Sequence, residues 1–255
     1  MKVVFVGAGN LATRLSIEMH RVGMTIGQVY SLTEESAHLL ASKLNAPWTT
    51  DIVEIIDDAD LYIFSVKDAV LETVLAQMKP NGGLWVHTAG SIPMDIFSSY
   101  TSRYGVFYPL QTFSKGRVVS FDKIPVFLET AKEEDQAVLL TVANALTDTV
   151  LFLSSEKRKQ IHLAAVFACN FANHMYVIAE KILEEQEIPY KMLLPLIEET
   201  ASKLQDLSPL LAQTGPAVRY DENVIEMQSD LLTNERYREL YRLISQSIHI
   251  ETGNE

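Results

Sequence analysis

The side chains best suited to moving a proton lie on one stretch, Lys159-Gln160-Ile161-His162-Leu163-Ala164-Ala165-Val166-Phe167-Ala168-Cys169-Asn170-Phe171-Ala172-Asn173-His174. At ~100° per residue, Lys159, His162, Val166, Asn170 and Asn173 fall within an arc of roughly 80° on a helix. Most of the remaining circumference is Ala, Phe, Leu and Cys. An imidazole titrates near neutrality, so His162 is a candidate general acid or base. Lys159, one turn earlier, can polarise an oxygen or hold a carboxylate, and Asn170 can orient a substrate or the imidazole. A helix this apolar is expected to be buried in its domain. Its polar stripe then faces a site, or forms interhelical hydrogen bonds with Lys159 snorkelling at the helix start. Without partners, a buried His or Asn costs roughly 1–3 kcal/mol. No nucleophilic triad is readable, and no metal is expected, because His162 and His174 share their stripe with no carboxylate. The single cysteine, Cys169, sits among Ala, Phe and Val and reads as a small buried hydrophobe.

A second constellation opens the chain. Lys2-Val3-Val4-Phe5-Val6 is an apolar run that feeds Gly7-Ala8-Gly9-Asn10-Leu11-Ala12. In this fingerprint Gly7 permits a tight turn out of a strand and Gly9 lets a pyrophosphate approach the backbone. Ala12 keeps the next helix close to the strand. The N–H groups at that helix start, around Asn10 and Leu11, attract phosphate. The second strand ends at Ser31-Leu32-Thr33, where the acid that selects NAD is missing and two hydroxyls stand instead. The expected cofactor is therefore NADP, with NAD the alternative. Two further strand ends, Ser65-Val66-Lys67 and Thr88-Ala89-Gly90, are expected to face the same cofactor, because ligands of open α/β sheets lie outside the carboxyl ends of strands. His87 points into that cleft or caps its strand.

The elements that must position these groups follow from hydrophobic period. Val3–Val6, Ile26–Tyr30, Leu61–Phe64 and Leu84–His87 are short apolar runs separated by helical patterns over 11–21, 34–44 and 69–78. Such alternation predicts a parallel sheet covered on both faces. Tyr104–Tyr108, Pro125–Leu128 and Val150–Leu153 extend it, with a helix over 133–146. Beyond Ser154 only helical patterns remain, over 156–186, 190–207, 221–231 and 235–248. The expected architecture is α/β, a doubly wound, mostly parallel sheet over 1–153 followed by an all-helical domain over 154–255. Net charge is −12, which disfavours a nucleic-acid partner. No run approaches the ~20 apolar residues of a membrane span, so no membrane partner is expected. One cysteine and no signal-peptide pattern suggest a reducing, cytoplasmic setting.

The glycine start, the helical second half and the polar helix after the sheet resemble the 6-phosphogluconate dehydrogenase-like superfamily, which includes β-hydroxyacid dehydrogenases and pyrroline-5-carboxylate reductase. More closely, the chain resembles the family that joins a Rossmann-like domain to a DUF2520 domain. The matching segments are Tyr108-Pro109-Leu110-Gln111-Thr112-Phe113, Lys159 to Asn170 around His162, and Thr214-Gly215-Pro216-Ala217-Val218-Arg219-Tyr220-Asp221. The resemblance implies hydride transfer between a nicotinamide cofactor and a small polar, carboxylated substrate in a cleft between the domains. It also implies a homodimer formed through the helical domain. Tyr108, Pro109, Gln111, Asn173 and Arg219 are then the candidate substrate contacts. Arg219 either clamps a carboxylate or pairs with Asp221 to cap the next helix. Two residues depart from the superfamily. Lys159 is followed four positions on by Leu163 rather than Asn, and Leu32 stands where an Arg usually follows the second strand. The rival reading is a dinucleotide-binding sensor or partner-regulating protein without turnover.

Overall fold

The structure, a computed structural model, describes residues 1–114 and 116–253. It divides into two compact units, Met1–Phe167 and Ala168–Glu255.

The first unit is built on eight strands: β1 (Lys2–Val6), β2 (Thr25–Tyr30), β3 (Trp48–Thr49), β4 (Leu61–Phe64), β5 (Leu84–His87), β6 (Tyr104–Pro109), β7 (Val126–Thr130) and β8 (Val150–Phe152). They form one sheet in the order β3-β2-β1-β4-β5-β6-β7-β8. Every pairing is parallel except β6 with β7. Side chains alternate across the sheet with period two. Val3 and Phe5 face one layer, packed with Leu15 and Met19 of α1 (Asn10–Arg21), Leu40 of α2 (Glu34–Leu44) and Leu139 of α4 (Gln136–Asn144). Val4 and Val6 face the other, with Leu71 and Leu75 of α3 (Asp68–Leu75), Trp85 and Phe97. All four of these β1 side chains are fully buried, each worth roughly 1.5–3 kcal/mol. Burial on both faces explains why the strands read as continuous apolar runs. The doubly wound, mostly parallel sheet expected from the sequence is present. Its edge strand β3 was not expected, because two residues after Pro47 carry no period.

A smaller cluster, Val106, Tyr108 and Phe127 with Met94, Leu110, Leu153 and Ile161, seats the start of α5 (Ser155–Ala165) on the sheet. A six-residue π turn, Val166–Phe171, continues that helix into α6 (Ala172–Glu184). The compact units part inside this turn, beyond the change of structural class at Ser154. A π turn holds more residues than an α turn. The even 100° spacing that put Lys159 to Asn173 on one stripe therefore does not run through it.

The second unit adds α7 (Leu194–Ser202), α8 (Pro209–Ala212), α9 (Glu222–Asp230) and α10 (Glu235–Glu251). Asp221 caps α9 and Asn234 caps α10, and Tyr220 stacks on His249 with ring centroids 4.8 Å apart. No residue of α6, α7 or α8 is buried. This overturns the expected burial of the apolar helix, and Cys169 is exposed with it. Composition shows that these side chains are apolar and not whether their own unit covers them. By length and composition Ser155–Glu184 is also apolar enough to cross a membrane, which corrects the expectation that no run would be.

Candidate functional site

Because β2, β1, β4, β5 and β6 are mutually parallel, their C-terminal ends share one edge of the sheet. The strand order reverses between β1 and β4, the point where such sheets take their ligands. There β1 is followed by Gly7, whose N–H donates to the Tyr30 carbonyl at 2.8 Å. Its φ is +121° and a Cβ would stand 2.3 Å from the Ser65 carbonyl oxygen, so only glycine fits. At Gly9 a Cβ would meet nothing. Gly9 is also the N-cap of α1 and contributes no capping side chain, so the first-turn N–H groups are left for an anion. Ala12 is fully buried against the core, and Leu11 is half-buried. These features fit a pyrophosphate. The Asn10 amide is engaged, donating to the Phe113 carbonyl at 3.1 Å and tying the fingerprint to the segment after β6.

After β2, Ser31 is half-buried, while Leu32 and Thr33 are exposed. Thr33 is the N-cap of α2 without a capping bond, and its hydroxyl meets Ser36 at 2.9 Å. After β4, Ser65 and Val66 border Gly7, and exposed Lys67 precedes α3. After β5, Thr88 and Gly90 are buried and Ala89 is half-buried. His87 resolves to a structural role. It is fully buried and stacked on Phe97 at 5.6 Å, and its Nδ1 accepts the Ala89 N–H. Burial, then the Arg158 charge, hold its pKa down to about 3, with the Pro93 backbone opposing. It is neutral and shapes the turn that carries Gly90.

A second group, around His162, reaches the same edge from α5. Arg158 is 1% exposed. Its guanidinium bonds the Glu129 carboxylate on β7, the Ile92 carbonyl and the Ser155 hydroxyl. Glu129 also accepts from the Ser155 N–H and hydroxyl, both at 2.8 Å, and the Met94 N–H donates to the Ser155 oxygen at 3.0 Å. The helix start is thus fastened to β7 and to the segment after β5. Four residues beyond Arg158, on the same helix face, stands half-buried His162. Its Nδ1 lies 2.9 Å from the Tyr108 hydroxyl of β6, with the rings edge to face. A Cβ on Gly90 would lie 2.5 Å from the imidazole, so the end of β5 makes room for it only as glycine. Burial pushes the Tyr108 hydroxyl pKa up, and Arg158 pulls it partly back.

Of the candidates, Gly7, Ser65 and Val66 are brought together around the fingerprint, and Gly90, Tyr108 and His162 form a second group. Pro109 is buried beside Tyr108. Gln111 is exposed and accepts the Thr112 N–H at 2.8 Å. Lys159 is exposed. Asn170, Asn173 and Arg219 are exposed residues of the second unit, and Asp221 caps α9 through the Val224 N–H. Sequence reasoning missed Arg158, Glu129 and Ser155. The available signal was the i, i+4 spacing of Arg158 and His162, hidden because Arg158 lies between Lys157 and Lys159 and reads as surface. Among the described residues no cluster of three potential metal ligands occurs.

Comparison with known proteins bears on this edge. Residues 2–88 match a family described as NADP oxidoreductase, coenzyme F420-dependent, and residues 124–248 match DUF2520, a domain of unknown function. A solved structure from Bacteroides fragilis, described as a "putative NADP oxidoreductase", is 48% identical over 98% of both chains, with a TM-score of 0.92. A Thermotoga maritima protein is 24% identical over 97% of this chain and 99% of its own, with a TM-score of 0.78. The reductive aminase of Aspergillus terreus, solved with NADPH and ethyl levulinate, shares the fold at 18% identity over 99% and 94%, with a TM-score of 0.70. No curated protein matches the chain. With its fingerprint at one end of the sheet and its DUF2520 segment through the helices, the chain belongs to the family of NADP-dependent oxidoreductases that join a Rossmann-like domain to a DUF2520 domain.

Proposed function

We propose that the protein reduces a C=N or C=O carbon of a small polar, carboxylated substrate, with His162 as the general acid. One observation carries this reading: a half-buried imidazole is held by Tyr108 and Gly90 at the same sheet edge as the dinucleotide fingerprint. NADPH, when bound, supplies the hydride. The turn at Gly7 and the α1 N-terminus hold the pyrophosphate. Ser31, Thr33 and Ser36 take the 2′-phosphate, since the end of β2 carries Ser31 rather than the acid that claims a 2′-hydroxyl, the first acids being Glu34 and Glu35 inside α2. His162 gives its proton to the heteroatom that becomes the product's NH or OH. Lys159, one turn before His162, holds the substrate carboxylate. A reducing, cytoplasmic setting goes with this chemistry.

The same reading includes a homodimer through the helical unit. Leu196, Leu210, Leu211 and Leu231 are all exposed there, and exposed apolar side chains of this kind suit an interface. A second copy is favoured over a membrane because the apolar helix Ser155–Glu184 is fastened to the sheet at its start by buried Arg158 and its partner Glu129.

The test is NADPH consumption with a panel of cyclic imines, keto acids and ketone–amine pairs. His162→Ala is expected to lose about 10²–10⁴-fold in kcat with NADPH affinity unchanged. Full turnover in that variant removes His162 from the chemistry. NADPH binding with no turnover across the panel favours the sensor.

A further inference from the structure

We infer that Tyr108 is a positioning residue that fixes the His162 imidazole in the tautomer bearing its proton on Nε2. The inference rests on the proposed acid role of His162 and says what prepares that acid. The Tyr108 hydroxyl is buried on β6, 2.9 Å from His162 Nδ1. Two arrangements are open to this pair. Either the hydroxyl donates to an unprotonated Nδ1, or a protonated Nδ1 donates to the hydroxyl oxygen. In the second, the tyrosine O–H would need another acceptor, and among the described residues its only hydrogen-bond partner is His162. A buried donor left unpaired is costly, whereas an oxygen with a spare lone pair is not. The O–H therefore points at Nδ1, and the imidazole proton sits on Nε2. Burial, which raises the tyrosine pKa, keeps that hydroxyl protonated and a donor.

Three further contacts make this a held geometry. Gly90 closes the space beside the imidazole, so the ring cannot swing toward β5 without striking backbone. Phe127 packs on the other side of Tyr108, with ring centroids 6.3 Å apart. Arg158, Glu129 and Ser155 fix the helix one turn before His162. Among the described residues Nε2 has no protein partner, which leaves it for the substrate heteroatom. On proton transfer the N–H bond at Nε2 breaks and a bond to the heteroatom forms. The Tyr108 O–H, which burial keeps protonated, hydrogen-bonds Nδ1 throughout the transfer, and Nε2 regains its proton from solvent.

The experiment uses the full chain labelled with ¹⁵N-histidine, with His162 assigned by comparison with His162→Gln. Above the imidazole pKa, the wild type is expected to show the Nε2–H form alone. Tyr108→Phe is expected to show an Nδ1–H fraction that the wild type lacks. Its kcat should fall about tenfold at unchanged KM and unchanged NADPH affinity. Gly90→Ala, which displaces the ring while keeping the hydroxyl, should produce the same mixed tautomer and serves if Tyr108→Phe does not fold. A spectrum unchanged in both variants overturns the inference, as does an Nδ1–H form in the wild type. The two readings fail separately. Full activity in His162→Gln removes the acid role while the tautomer result stands. Loss of activity in His162→Gln with an unchanged tautomer in Tyr108→Phe removes this inference alone.

Discussion

In β1, Val3, Val4, Phe5 and Val6 are all fully buried, two against each helical layer. In α6, eight of thirteen residues are apolar or aromatic, and none of the thirteen is buried. Both segments are rich in side chains that water disfavours, yet only the sheet unit covers its own. A doubly wound sheet offers two apolar faces and folds its helices back over both. Helices α6 to α8 bury no residue, so the core that stabilises the sheet unit has no counterpart there.

One residue type tests this contrast directly. Leu15 in α1 is fully buried and Leu211 in α8 is 72% exposed. Leu15→Ala is expected to cost about 2–5 kcal/mol in chemical denaturation. Leu211→Ala in dilute protein should stay within about 0.5 kcal/mol. If a second copy covers α8, the Leu211→Ala cost grows as protein concentration rises. A cost for Leu211→Ala equal to that for Leu15→Ala at every concentration would erase the distinction between the units.

A second measurement asks how firmly the sheet holds the helix that carries His162. Glu129→Ala leaves the Arg158 guanidinium buried without its carboxylate. The expected loss is about 3 kcal/mol, with a fall in kcat because His162 is no longer held against Tyr108. Replacing both partners, as in Glu129→Leu with Arg158→Met, should restore much of the stability. Failure of that rescue would mean the pair does more than satisfy itself.

The smallest effect is in acid. The folded state holds His87 neutral down to about pH 3, whereas the unfolded chain binds a proton there below about 6.5. The unfolded state therefore carries more protons across that window, and stability falls as pH falls. Between pH 6.5 and 5 the expected loss is about 2 kcal/mol, flattened in His87→Gln. The helical unit's own unfolding should show no such slope from this residue. An unchanged slope in His87→Gln would assign the acid sensitivity to another group.

The sheet was legible because burial on both faces writes itself as apolar runs, and the fingerprint was legible because Gly7 has a steric reason visible in spacing. The site was half legible. His162 stood out as a titratable group on an apolar helix. Its partner Tyr108 lies 54 residues away in sequence, and no local pattern joins a strand end to a later helix. Arg158 was hidden for the opposite reason, since a basic residue between two lysines looks solvated. The expected burial of α6 failed because composition reports that a surface is apolar and not whether anything covers it.

The single antiparallel pairing, β6 with β7, sets a ruler for the chemistry. After it, β7 and β8 run away from the edge where β1, β4, β5 and β6 end. The next helix must start low and climb back. Glu129, which holds the Ser155 end of α5, stands opposite Val106. Tyr108 is two strand residues farther along, roughly 7 Å. From Ser155 to His162 the helix rises roughly 10 Å, and its side chains lean back toward its start. The two lengths meet at one imidazole. Inserting a single residue between Ser155 and His162 would turn that imidazole by roughly 100° and leave both its anchors in place, so this short span of an otherwise exposed helix tolerates substitution far better than a change of length.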